Sequence, residues 1–253
     1  MIKHMEYAYS IRSIDKLKEY NLFLETHKAK IAAYIDFIQN SYSVKDLPEY
    51  IVFADFDMAT RVHRSISIPA YTNEIRMVIT PELNIWKSIY LKQLEVYEIK
   101  AVENIQSYYS NDINENSILQ IIGHELMHQS ELFLDDFEDE KKLTEGIWFE
   151  EGMVEYISKK FFLTTEEFEK EKQINTSLVK LFEEKYGISS IESFGQETYD
   201  ENYTSIFYNY WRSFLAIDIL VQKFHIVSKV FEHYHNWNKA GRTMPLSKWF
   251  QIE

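Results

Sequence analysis

Apolar residues along most of the chain recur at helical spacing. From about Ser13 to Gln39 the series Leu17, Tyr20, Leu24, Ile31, Tyr34, Ile35 and Ile38 advances mostly by steps of three and four, which places these side chains on one face of a helix. Pro48 marks its exit. A shorter period follows. Tyr50-Ile51-Val52-Phe53 is a brief apolar run, Arg61 to Ile68 alternates through Val62, Ile66 and Ile68, and Glu74 to Thr80 sets Ile75, Met77 and Ile79 on one side of a strand. Pro69 and Thr72-Asn73 supply the breaks.

Helical spacing returns over 84–109 and continues to the end of the chain. One helix opens at Ser117 and buries Ile118, Ile121, Ile122, Leu126 and Met127; Ser117 and Gln120 have the spacing of a capping box. Further helices are predicted at 146–162, 165–186, 203–224 and 226–238, with a last short one starting near Pro245. Thr165, ahead of Glu166 and Glu167, suits an N-cap. The expected fold class is α+β: a small mixed sheet with an edge strand, then a buried helix and a helical C-terminal lobe. The expected division is a helical extension over 1–48 and one domain over 49–253, with sheet and buried helix in 49–145 and the helical lobe in 146–253.

Composition narrows the chemistry. With 45% hydrophobic and 16% aromatic residues, the 253-residue chain can bury a substantial core. It has no cysteine, so a metal site must use histidine and carboxylate ligands. The net charge of −13 opposes a nucleic-acid or anionic-membrane partner and favours a basic or neutral polypeptide. No run of 18 apolar residues occurs, and Met1–Glu6 lacks the apolar core of a signal peptide. The expectation is no membrane insertion and a cytoplasmic location, or secretion where a leader has been removed. Nothing in the sequence speaks to oligomeric state.

The stretch His124-Glu125-Leu126-Met127-His128 reads HExxH. Residues four apart share a helix face, so His124 and His128 can grip one zinc ion while Glu125, beside a ligand, can take a proton from water activated by the metal. A catalytic zinc site needs a third protein ligand. The extension HExxHxxGxxH would supply a histidine, but Glu131 stands at its glycine and Leu134 at its last histidine. The search therefore moves to a carboxylate on a later helix. In Trp148-Phe149-Glu150-Glu151-Gly152-Met153-Val154-Glu155-Tyr156, Gly152 costs helix stability and implies a close helix approach, expected to be onto the HExxH helix; Gly123 has the same expected use. Glu155 is one turn beyond Glu151, and zinc-bound histidines commonly donate their other N–H to a carboxylate.

These two segments resemble the HExxH and W-x-x-E-G-x-x-x-Y motifs of the gluzincin metallopeptidases, the thermolysin-like and zinc-aminopeptidase-like group. The resemblance implies a zincin-like fold and zinc-dependent hydrolysis of a peptide or protein substrate. It further implies His124, His128 and Glu151 as ligands, Glu125 as general base and Glu155 as acidic partner of His124. Twenty-two residues separate His128 from Glu151, somewhat more than is usual in the family. Residues 203–224 resemble the family helix that supplies an oxyanion donor. Tyr210, with Ser213 and Leu220 beyond it, fits best, and Tyr208 and Tyr203 are rivals. The strand 74–80 takes the place of the edge strand that pairs with extended substrate. No G-x-M-E-N-type segment precedes His124, which favours an endopeptidase.

Blander readings stand beside these. Glu150 and the acidic run Asp135, Asp136, Glu138, Asp139 and Glu140 read as solvated charges. His233 and His235 fall on different helix faces, His63 falls on a strand, and His4, His27 and His225 lack evident partners. The aromatic series Phe207, Tyr208, Tyr210, Trp211 and Phe214 reads as core. Two rival functions are a metal-binding but catalytically idle interaction module and a helical structural protein with a chance HExxH.

Overall fold

The computed structural model describes residues 5–63, 68–134, 146–195, 198 and 202–253. They form a mixed α+β structure, mostly helical, with one small four-stranded mixed sheet among the described residues. Two compact units divide the chain. The first runs to Glu131 and includes Phe161–Leu163; the second comprises Leu132–Lys160 and Thr164–Glu253. No described helix is long and apolar enough to cross a membrane.

In the first unit the strands are β1 (Glu6–Ser10), β2 (Tyr50–Ala54), β3 (Ala70–Thr72) and β4 (Arg76–Ile79), in the order β1-β2-β4-β3. β1 pairs parallel with β2 and β2 parallel with β4, while β3 closes the sheet antiparallel to β4 with Tyr71 opposite Val78. The segment 1–48 is therefore more than a helical extension, because it supplies a strand before helix α1 (Ile14–Ser41), whose N-cap Ser13 accepts from the Asp15 N–H.

β4 lies inside the sheet, so 74–80 is not an edge strand; among the described residues β1 and β3 are the edges. A strand with neighbours on both sides and layers on both faces buries residues of either parity. Met77, Val78 and Ile79 are all fully buried, while Ile75, expected on the buried face, is exposed and precedes the strand. The strand expected from Arg61 is absent at Arg61–His63. Asp55 accepts from the Met58 N–H at 3.1 Å, the Ala59 N–H bonds to the Asp55 carbonyl, and Met58–His63 winds into a wide helical turn. Ile66 lies outside the described residues. The helical stretch over 84–109 is broken into α2 (Leu83–Lys92), a tight turn at Gln93–Val96 and α3 (Ile99–Ser107).

Helix α4 (Glu115–Met127) packs against α1 and β3. Its cap is Asn114, whose side chain accepts from the Asn116 N–H at 2.8 Å, and Ser117 sits inside the first turn. The Asn114 carboxamide reaches the first free N–H groups before Ser117 can, which moves the helix start three residues upstream. Tyr34 of α1 donates to the Gly123 carbonyl at 2.9 Å, in a buried position. His27 has a partner, Glu115, at 2.7 Å.

The second unit holds α5 (Ile147–Phe162, up to Lys160), α6 (Thr165–Tyr186), α7 (Tyr203–Phe224), α8 (Val227–Lys239) and α9 (Leu246–Phe250). Thr164 caps α6 in a reciprocal box with Glu167, one residue before the expected Thr165. Aromatic rings tie the helices together. Phe149 of α5 stacks on Tyr234 of α8 at 4.2 Å and on Phe250 of α9 at 5.7 Å, and Tyr156 meets Phe168 of α6 edge-on. Phe207, Tyr208, Trp211 and Phe214 are buried, as expected of core, whereas Tyr210 of the same series is half-buried.

Candidate metal centre

His124 and His128 sit one turn apart at the C-terminal end of α4. Their Nε2 atoms are 3.2 Å apart, with the rings nearly perpendicular. Two imidazoles on one tetrahedral zinc, each at the usual metal–nitrogen length, hold their nitrogens about 3.3 Å apart. The pair therefore has the spacing of a chelate. The C-terminal end of a helix carries partial negative charge, which favours a cation there. His124 and Glu125 are both buried.

Glu151 of α5 is 1% exposed. Tyr210 of α7 donates its hydroxyl to Glu151 Oε1 at 3.3 Å, and the Tyr210 ring meets Phe194 edge-on at 5.6 Å. Gly152 makes this possible. A Cβ on Gly152 would lie 2.5 Å from the Ser213 carbonyl oxygen and 2.7 Å from Ile217 Cγ1, so α5 and α7 meet at backbone distance. The close approach read from Gly152 is thus made to α7, not to α4. Tyr210 is three residues before Ser213, on the same face of α7, and the contact at Gly152 brings its hydroxyl to the neighbouring Glu151. His124, His128 and Glu151 each offer a ligand atom, and these atoms all lie within 4.8 Å of one another, so the three could hold a metal ion.

The rival tyrosines are engaged elsewhere. Tyr208 donates to Glu183 at 3.1 Å, stacks on Phe182 at 4.0 Å and lies under the Arg212 guanidinium. Burial raises its phenol above the ordinary value, with Arg212 pulling it down and Glu183 pushing it up. Tyr203 stacks on Phe207. Glu155 forms an ion pair with Lys159 at 3.0 Å, and Lys159 also reaches Glu171 of α6 at 3.1 Å.

Glu150 is buried, against the expectation of a surface charge. The reason is that α5 is enclosed around its circumference from Ile147 to Val154, leaving no solvent face for it to occupy. His63 lies in the wide turn after β2, and burial, aided by Arg76, lowers its basicity. His235 bonds the Leu132 carbonyl at 2.8 Å, and the His233 ring packs on Phe224. His4 and the acidic run 135–140 lie outside the described residues. Phe194 and Arg212 were missed by sequence reasoning; neither belongs to a spaced motif. Comparison with known protein families, curated proteins and solved structures found no match to the chain.

Proposed function

We propose that the chain is a zinc-dependent peptidase of gluzincin type, acting within polypeptides. The observation that carries this reading is the convergence of His124, His128 and Glu151, with Glu125 next to the first ligand. Cysteine-free, two-histidine, one-carboxylate donor sets suit a catalytic zinc with an open position. Bound there, zinc supplies a Lewis acid and lowers the pKa of water toward about 7.

The remaining work falls to side chains of the chain. Glu125 accepts the proton of the attacking water and delivers it to the leaving amine, and its burial keeps that transfer away from bulk solvent. In the reaction the Tyr210 hydroxyl turns its single proton from Glu151 to the oxyanion formed at the substrate carbonyl. Glu155, paired with Lys159, serves as acidic partner of His124. The edge strand β3, packed on α4 and paired on one side by β4, offers backbone groups to an extended peptide.

Glu125→Gln tests the reading. The variant is expected to retain stoichiometric zinc while hydrolysis of a peptide library falls about 10²–10⁴-fold. Equal turnover by wild type and variant would refute Glu125 as base. Zinc uptake with no cleavage by wild type would support the idle interaction module, and no zinc after reconstitution would support a chance motif.

A further inference from the structure

Arg212 of α7 is buried at 8% exposure. Its Nε and Nη2 donate to Asn209 Oδ1 at 3.0 and 2.6 Å. Nη1 donates to the Ser189 carbonyl at 2.9 Å and to its Oγ at 3.2 Å, with a longer contact to the Tyr208 hydroxyl at 3.5 Å. Nη2 also reaches Ser193 Oγ at 3.2 Å. All of these hydrogen-bond acceptors are neutral, and the carboxylates of Glu253 and Glu183 act on the guanidinium only through space. A buried cation on neutral acceptors is an expensive way to fasten a loop, and a planar fork that grips several points at once is what it adds over an uncharged group.

Of the two gripped serines, Ser189 lies two residues before the turn Ile191–Ser193 and Ser193 is its last residue. Ser193 Oγ also donates to the Ser190 carbonyl at 2.7 Å, and the next residue is Phe194, 2% exposed, whose N–H bonds to the Ile191 carbonyl. The Phe194 ring edge is what meets Tyr210, and the Tyr210 hydroxyl is what meets Glu151. The contacts run without a gap from the guanidinium to the carboxylate.

We propose that Arg212 is a positioning residue for the metal-ligating carboxylate: by clamping Ser189 and Ser193 it seats Phe194 against Tyr210 and so holds the Tyr210 hydroxyl on Glu151. This rests on the metal-site reading above but not on peptide hydrolysis. Loss of a side chain that orients a ligand weakens metal affinity about 10–100-fold.

The test is a double-mutant cycle on zinc affinity, measured for the full chain by competition with a chromophoric chelator. Tyr210→Phe is expected to weaken zinc about 10–100-fold and Arg212→Lys by about tenfold, with the double variant no weaker than Tyr210→Phe alone. A merely structural role for Arg212 predicts the same fold loss in both backgrounds, and that result overturns the proposal. So does zinc affinity within about twofold of wild type for either single variant. Should Arg212→Lys fail to fold, Phe194→Leu removes the ring with the guanidinium left in place and must reproduce the loss and its non-additivity; unchanged affinity overturns the proposal. A wild type that takes up no zinc defeats the site reading and this proposal together. A non-additive cycle in a protein that cleaves nothing leaves this proposal standing and removes only the hydrolytic reading.

Discussion

Helices α4 and α5 carry the candidate metal ligands, with His124 and Glu151 buried and His128 half-buried, and each has a glycine next to a candidate ligand. They are held by different means. In α4 the two histidines share one helix, so the helical period puts them on one face, where their nitrogens lie 3.2 Å apart. The surroundings of α4, such as the Tyr34 hydroxyl on the Gly123 carbonyl, decide where the helix lies but not how the ligands face each other. In α5 a single carboxylate has no such internal partner. Glu151 accepts from Tyr210 of another helix, which the close contact at Gly152 brings near, and on the proposal above this contact sets its aim. A chelate written into one helix is insensitive to its packing, whereas a lone ligand is only as well placed as the neighbour that holds it.

The largest effects should separate these two cases. His124→Ala or His128→Ala breaks the chelate and is expected to reduce bound zinc to below about one-tenth of an equivalent, since a single imidazole offers little on its own. Glu151→Gln leaves the pair intact and is expected to retain zinc at reduced affinity, measured by metal analysis after gel filtration and by chelator competition. Equal loss in all three variants would show that Glu151 is no less essential than the chelate. Smaller but still severe is Gly152→Ala. Its new methyl meets the Ser213 carbonyl, a backbone atom that can move only with α7, so overpacking of about 1–3 kcal/mol is expected together with weaker zinc binding. Tyr34→Phe should cost stability alone, about 1 kcal/mol in urea unfolding, and leave zinc affinity unchanged.

The same contrast explains what the sequence made legible. Helical periodicity placed α1 and the helices from α5 to α9 within a few residues, because amphipathic spacing is a local property. The histidine pair was legible for that reason too. Sheet order was not, since β1 and β4 owe their positions to partners distant in sequence: β1 is only five residues long, too short for its Tyr7/Tyr9 alternation to stand out, and β4 is buried at Met77, Val78 and Ile79 alike. Gly152 announced a close contact, expected onto the HExxH helix, but the atoms nearest its Cβ position belong to α7. Tyr210 was distinguishable from Tyr208 only once the structure sent one hydroxyl to Glu151 and the other to Glu183. The clamp at Arg212 has no spacing signature at all, because its acceptors are scattered over Ser189, Ser193 and Asn209.

Helix starts occupy a middle ground, and they yield the smallest effect with the sharpest sign. Ser117 with Gln120 has the form of a capping box, yet Asn114 holds the cap of α4 and Ser117 has already entered the helix. Asn114→Ala should therefore destabilise the first unit by about 1 kcal/mol, because the Asn116 N–H loses its acceptor. Ser117→Ala should be neutral or stabilising by a few tenths of a kcal/mol, as expected of a serine replaced by the strongest helix former inside a helix. Thermal unfolding followed by circular dichroism resolves the two. A loss at Ser117 with none at Asn114 would restore the downstream start, shorten α4 by a turn, and remove the Glu115 contact that now engages His27. Neither variant should alter zinc affinity, because the histidines sit at the far end of the helix, where their spacing is set by the last turn and not by the first.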